Sequence, residues 1–371
     1  MKKILAFILA VVFVFSLCLA FSSCKKEGLG DKSYSVAEYR TTMQYYDDFK
    51  ILQLTDLHFG IETDIALQLD IVKNAIIEAN PDLIVLTGDN FMYSTKGIVK
   101  SLFSFLNEEC KALTSKRGRL TKFTVTFGNH DNQGDYSRYY INEVVSSYVT
   151  KDGDEIKDSK YAAFIDYEDD DVFGLTNFYI DLVDNREKSL DMVDVKYRIH
   201  IIDSNSYHFV GPDYDYDVIH TSQLEHAKKI YEGATKDKEY IGLAFFHIPL
   251  FEYQDAWGEY ESTGKDGQGE FREDALYGYE NNGSYKALHE ANIVGFFCGH
   301  DHINYGDFIY KNEAIFSYGV KTTNQLYHDT DMIGYKAITL KDISKEEFVS
   351  YENIENSFKN VTEEYENYEK N

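Results

Sequence analysis

FFCGHDHIN, Phe296–Asn304, ends a run of apolar residues with a glycine and then sets His300, Asp301 and His302 in a row. In an extended backbone residues i and i+2 point the same way, so the spacing predicts His300 and His302 on one side and Asp301 on the other. Two imidazoles side by side suggest a metal ion. The competing reading is a polar loop that caps a strand, and partners elsewhere in the chain decide between the two.

Such partners recur at the ends of other apolar runs. ILQLT is followed at once by Asp56, Leu57 and His58, and LIVLT by Gly88, Asp89 and Asn90. FTVTF leads into Gly128, Asn129, His130 and Asp131, and IGLAFF into His247. Each motif alone is commonplace, since Gly-Asp is usually a turn and a lone buried histidine is usually core. Their joint occurrence at successive strand ends is different, because the carboxyl ends of parallel strands converge on one crevice.

The body between these points alternates. Short runs rich in Ile, Val, Phe and Leu at 51–54, 83–86, 123–127, 197–202, 241–246 and 293–298 read as strands, several of them buried on both faces. Helical stripes lie between them at 64–79, 97–110, 137–148, 222–231 and 285–291, the first ended by Asn80-Pro81. That alternation predicts an α/β layered domain with a largely parallel sheet. After His302, the runs at 314–318 and 335–339 are expected to complete a second sheet. The polar stretches 151–171 and 258–282 are expected as long loops, either lids or decorations.

Composition narrows the function classes. With 43% hydrophobic residues the chain can bury a large core, and a net charge of -26 argues against a non-specific hold on nucleic acid or on an anionic membrane. The N-terminus, MKKILAFILAVVFVFSLCLAFSSC, has two lysines, an apolar run and small residues before Cys24, the layout of a signal peptide over 1–23. FSSC is similar to a bacterial lipobox, which makes Cys24 the expected lipidation site and membrane anchor; simple secretion is the alternative. Either way the protein is expected to be exported to the cell envelope. A tether over 24–48, a domain over 49–345 and an acidic tail over 346–371 complete the organisation. Cys110 and Cys298 are expected as buried thiols, with a disulfide between them as the alternative.

The ordered blocks DLH at 56–58, GDN at 88–90, GNHD at 128–131, FFHIP at 245–249 and GHDH at 299–302 resemble the calcineurin-like metallophosphoesterases. LTDLHFG, VLTGDN and GHDHIN further resemble the branch with the purple-acid-phosphatase-like proteins of plants and bacteria. The resemblance implies a four-layer α/β/β/α sandwich, two mixed sheets flanked by helices. It implies two metal ions, one held by Asp56, His58 and His302 and the other by Asn129, His247 and His300, with Asp89 bridging both. Imidazole, carboxylate and amide donors suit Mn, Fe or Zn. Two such ions would activate a water as hydroxide to attack a phosphate ester. His130 would then protonate the leaving group, oriented by Asp131 if Asp131 does not merely cap the next helix.

Two departures matter. No phosphate-gripping arginine follows the Gly-Asp motif, as it does in protein phosphatases. Met92 stands where a purple phosphatase has its tyrosine ligand, with Tyr93 one position late. The expected activity is hydrolysis of a small phosphate mono- or diester, with a non-catalytic envelope protein that binds metals and a phosphorylated ligand as the alternative.

Overall fold

The strands Leu83–Thr87 (β3), Ile241–Phe245 (β9) and Ile293–Cys298 (β11) are buried at every residue, which is why they read as unbroken apolar runs. They belong to two different sheets in this computed structural model. The structure describes residues 36–149, 161–166, 171–184, 194–233, 239–350 and 358–360. All of them fall in one unit, Val36–Asn371.

The smaller sheet has five strands. Phe49–Leu54 (β2), β3 and Lys122–Thr126 (β4) run parallel, and Gly334–Leu340 (β14) joins antiparallel to β2. Phe358–Asn360 (β15) forms its far edge beside β14. Tyr207–Val210 (β7) and Asp213–Tyr216 (β8) pair as a separate hairpin, and the larger sheet has eight strands. Its centre is Asp194–Ile202 (β6), β9, β11 and Ala314–Tyr318 (β13), all parallel. Arg40–Gln44 (β1) and Asn177–Asp184 (β5) extend one side, and Asn304–Tyr310 (β12) and Gly267–Phe271 (β10) the other, with antiparallel pairs among them. Both sheets are therefore mixed.

The sheets face each other. Gln53 Nε2 on β2 donates to Cys298 O on β11 at 2.9 Å, and Thr126 Oγ1 on β4 donates to Ile202 O on β6 at 2.8 Å. Helices Ile65–Ala79 (α1), Lys96–Arg117 (α2) and Arg138–Ser146 (α3) accompany the smaller sheet. Thr221–Gly233 (α4), Glu252–Thr263 (α5) and Ser284–Glu290 (α6) accompany the larger. Local chemistry sets their ends: Asp64 caps α1 by accepting from Leu67 N, and Asn80 ends it in the left-handed region at φ 48°. No helix among the described residues is long and apolar enough to cross a membrane.

Several expectations change. The expected second sheet after His302 does not form as one unit, because β13 joins the larger sheet and β14 the smaller. The stretch 258–282 is not one loop: it begins inside α5 and supplies β10, whose glycines pair with β12. The expected tether over 24–48 does not hold over 40–44, since Arg40–Gln44 pairs with β5 inside the larger sheet; 24–35 lie outside the described residues. The acidic tail contributes an edge strand at 358–360. Cys110 and Cys298 are buried and free. The leader 1–23, Cys24, most of 151–171 and the tail residues 351–357 and 361–371 lie outside the described residues.

Candidate metal centre

The loops after β2, β3 and β4 meet the loops after β9 and β11 where the two sheets come together. Backbone bonds knit them: Asp56 N donates to Gly88 O at 3.2 Å, His58 N to Asp89 O at 2.9 Å and Gly299 N to His247 O at 3.1 Å. The chain makes these turns at some cost. Asp56, His58, Asp89 and His300 all have positive φ, between 48° and 86°, an arrangement that surrounding structure must enforce. The extended i, i+2 geometry predicted for His300 and His302 is therefore not what the backbone adopts.

Two groups of buried donors result, each drawing on both sheets: Asp56, His58 and His302, and Asp89, His247 and His300. In the first, His58 Nε2 lies 3.1 Å from His302 Nε2, and Asp56 Oδ1 lies 3.6 Å from His302 Nε2 and 3.9 Å from His58 Nε2. In the second, His247 Nε2 lies 3.2 Å from His300 Nδ1, 3.2 Å from Asn129 Oδ1 and 3.3 Å from Asp89 Oδ2. Asp89 Oδ2 also lies 3.7 Å from His58 Nε2, so this one oxygen reaches nitrogens of both groups. His300 and His302 thus part company, one to each group, while Asp301 is buried among Leu276 N and the Tyr318 hydroxyl.

These separations are near the ligand–ligand edge around an ion with bonds of about 2.1 Å. Asp56 Oδ1 is buried with no hydrogen-bond partner among the described residues. Leaving such a group unpaired costs about 1–3 kcal/mol, a cost that a cation held with His58 and His302 would remove. The donor types, imidazole with carboxylate and amide oxygen, fit a first-row transition metal.

Outer partners fix the ligand atoms. His247 Nδ1 donates to Thr87 O at 2.9 Å and His302 Nδ1 to Tyr327 O at 2.9 Å, which leaves each Nε2 facing its group. Asn129 Nδ2 donates to the Tyr207 hydroxyl at 2.8 Å, which turns Oδ1 toward His247. Gly299 is required by close approach: a Cβ there would sit 2.0 Å from Thr55 Oγ1.

Electrostatics prepares most of these groups. Burial lowers His58, His300 and His302 below the ordinary imidazole value, His300 to about 3, which keeps their lone pairs free. Burial would raise Asp56 and Asp89, but the neighbouring histidines outweigh it and both stay well below the usual carboxylate range. His247 differs: burial is the largest single effect and pulls it down, but Asp89, Asp56 and the Thr87 carbonyl together outweigh it and raise it to about 9. Behind the first group, Lys321 Nζ donates to Asp56 O at 2.9 Å, and burial lowers this ammonium to about 7.

His130 sits at the edge, with its Nε2 3.9 Å from Asp89 Oδ2 and its side chain 23% exposed. Its expected partner is wrong. Asp131 does not touch the His130 ring but accepts from Phe91 N at 2.9 Å, Asn90 Nδ2 at 3.0 Å and Gly128 N at 2.8 Å. Nor does it cap a helix, since α3 begins at Arg138. It staples the β3 loop to the β4 loop. The ring of His130 is held instead by Gln133, whose Oε1 lies 2.8 Å from Nδ1. Gln133, Tyr207 and Lys321 were not foreseen. The i, i+3 spacing of His130 and Gln133 in a turn was the one available signal, closed by Gln133 N donating to His130 O at 2.9 Å.

Comparison with known proteins agrees with this geometry. The family profile described as calcineurin-like phosphoesterase matches residues 49–304. The chain is 27% identical over 284 residues to "Phosphatase DCR2" of Saccharomyces cerevisiae, covering 69% of this chain and 44% of that protein. It is 25% identical over 285 residues to "Probable inactive purple acid phosphatase 14" of Arabidopsis thaliana, covering 69% and 66%. With "Probable inactive purple acid phosphatase 28" of the same plant, identity is 24% over 291 residues, covering 71% and 68%. The chain therefore spans less than half of the yeast protein and about two thirds of the plant ones.

Proposed function

The chain belongs to the calcineurin-like phosphoesterase family, and from that premise we propose that it hydrolyses small phosphate esters at a dinuclear metal centre. The observation that carries this reading is the pair of buried donor groups joined by Asp89. Asp56, His58 and His302 would hold one ion, Asn129, His247 and His300 the other, and Asp89 would serve both. Mn, Fe and Zn are the candidate metals. When bound, two such ions supply positive charge that polarises a phosphoryl oxygen and makes a water acidic near neutral pH.

The chain's own residues do the rest. The P–O bond to the leaving group breaks as water oxygen bonds to phosphorus, and the departing oxygen needs a proton. His130 is placed to give it: its Nδ1 is taken by Gln133, and its other nitrogen faces Asp89 at the open edge of the site. Asp131 acts at one remove, holding the loops that carry Asp89 and Asn129 in register.

Two relatives carry "inactive" in their names, which favours a second reading, a protein that binds metals and a phosphorylated ligand without turnover. The full donor set and the placement of His130 support catalysis instead. Tyr93, 60% exposed, supports a centre without a purple tyrosinate ligand. The leader and Cys24 lead us to propose export and a lipid anchor at the cell envelope, which the mass of the mature N-terminal peptide checks.

The experiment is hydrolysis of phosphate mono- and diesters by the metal-loaded protein beside His130→Ala. Metal-dependent turnover that drops about 10²-fold or more in the variant supports the reading. Binding of phosphate esters without turnover would establish the second one.

A further inference from the structure

Next to the donor groups lies an open cleft of about 610 Å³, within the 300–1,000 Å³ usual for sites that take small molecules. Its near wall is continuous with the centre: Ser206 Oγ donates to Asn129 O at 3.0 Å, and the Tyr207 hydroxyl holds Asn129 Nδ2. Its other walls are the first turn of α3, with Arg138 and Tyr139, and the segment Val172–Leu175.

The cleft is built rather than incidental. One fully buried carboxylate, Asp203, ties its three walls together. It pairs with Arg138 Nη2 from α3, accepts from Leu175 N at 2.9 Å, and accepts from its own loop's Asn205 N at 2.9 Å. Walls fixed in this way are preorganised for a ligand.

What such a ligand must look like follows from what faces it. Arg138 is engaged by Asp203 and stacks over Phe127, and Asp217 adds a further carboxylate to the lining. A second phosphate is poorly served here. Beside the neutral polar Asn132, Ser137 and Ser206, the lining offers two well-exposed aromatic side chains: Tyr139 is 60% exposed and Phe173 is 50% exposed. Only six aromatic side chains are strongly exposed among the described residues, and these are two of them; Phe209 and Tyr214, two more, lie on the hairpin that starts at Tyr207. Phe173 is held in place, with its ring stacked on His220 at 3.9 Å and its N–H bonded to Ser222 Oγ.

We propose that this cleft receives the leaving group of the ester, and that it selects an uncharged aromatic ring there, making the substrate class a monophosphorylated aryl or ring-bearing alcohol. The proposal rests on the phosphoesterase reading for the location of the phosphate. Rings prefer to stack on rings, which supplies the selectivity that a small aliphatic alcohol cannot obtain.

The test uses the metal-loaded protein and three variants, Tyr139→Ala, Phe173→Ala and Phe173→Leu, all at half-exposed positions outside the core. KM is measured for 1-naphthyl phosphate and for glycerol 1-phosphate. Binding of naphthylmethylphosphonate, which cannot be hydrolysed, is measured by calorimetry. The expected result is a rise of about tenfold in KM for the naphthyl ester and in Kd for the phosphonate, in all three variants, with KM for glycerol phosphate unchanged. Unchanged naphthyl constants, or equal losses on both esters, overturn the proposal. Full affinity in Phe173→Leu overturns the aromatic part of it. If no ester turns over but phosphonate binding still falls in the variants, the cleft stands and the hydrolytic reading falls; turnover with unmoved naphthyl constants removes the cleft alone.

Discussion

His130 Nδ1 lies 2.8 Å from Gln133 Oε1, three residues along the same turn, so the amide oxygen accepts the Nδ1 proton and fixes which way the other nitrogen points. Gln133 never reaches the donor groups itself, which makes it a positioning residue. Gln133→Leu should lower kcat about tenfold and leave KM and metal content unchanged, while Gln133→Glu, which keeps an acceptor, should restore most of the rate. The loss should be larger for alkyl esters, whose leaving oxygen needs the proton, than for nitrophenyl esters, whose leaving group departs as an anion. Equal losses on both ester types would mean that Gln133 only supports the fold.

The second prediction concerns protons. His247 is raised to about 9 in the metal-free protein because Asp89 stabilises its charged form. A histidine raised from 6.5 stabilises the metal-free fold below 6.5, and that contribution is lost as pH climbs through about 9. A metal ion needs the lone pair that this proton occupies. Binding at pH 7 should therefore release about one proton, and affinity should rise about tenfold per pH unit until about pH 9. Calorimetry in two buffers of different ionisation enthalpy measures the proton count; zero release would show that His247 is not a ligand.

Metal removal should also be felt in stability. Binding at 100 times Kd contributes about 2.7 kcal/mol, and the relief of the unpaired Asp56 Oδ1 is part of that gain. Chelation should lower Tm by about 5 °C or more, fully reversed on reloading. An unchanged Tm would place the ions elsewhere.

Most of the two donor groups was legible because their residues sit at the ends of strands, and strands buried on both faces announce themselves as apolar runs. DLH, GDN, GNHD and GHDH each follow such a run directly. What was not legible is longer in range. No local pattern says that β13 and β14 go to different sheets, since their neighbours, β11 and β2, are chosen by the packing of the whole core. Strand β10 hides in a glycine-rich, acidic stretch whose only strand-like feature is its pairing with β12. Asp131 was misread because a carboxylate beside a histidine suggests a dyad, while the fold uses it to accept three N–H groups from two loops. Tyr207 is 78 residues from the asparagine it orients, beyond the reach of any spacing argument.

Gly299 provides the sharpest test of how the backbone makes the site. It precedes His300, and a Cβ at this position would lie 2.0 Å from Thr55 Oγ1 and 2.9 Å from Asp56 Oδ2. Both atoms are buried, and Thr55 Oγ1 donates to Asp56 Oδ2 at 2.8 Å, so neither can move without disturbing the first donor group. His300 N also donates to Asp56 Oδ2 at 3.1 Å, so any retreat of the 299–302 loop breaks a second bond to the same carboxylate. Gly299→Ala should therefore weaken metal binding at Asp56, His58 and His302 by about tenfold or more and cost roughly 1–3 kcal/mol of stability, as overpacking of a dense interior does. Metal content per chain and Tm, measured together, check it. A variant that keeps two ions and its full Tm would show that the loop has room that the close contacts deny.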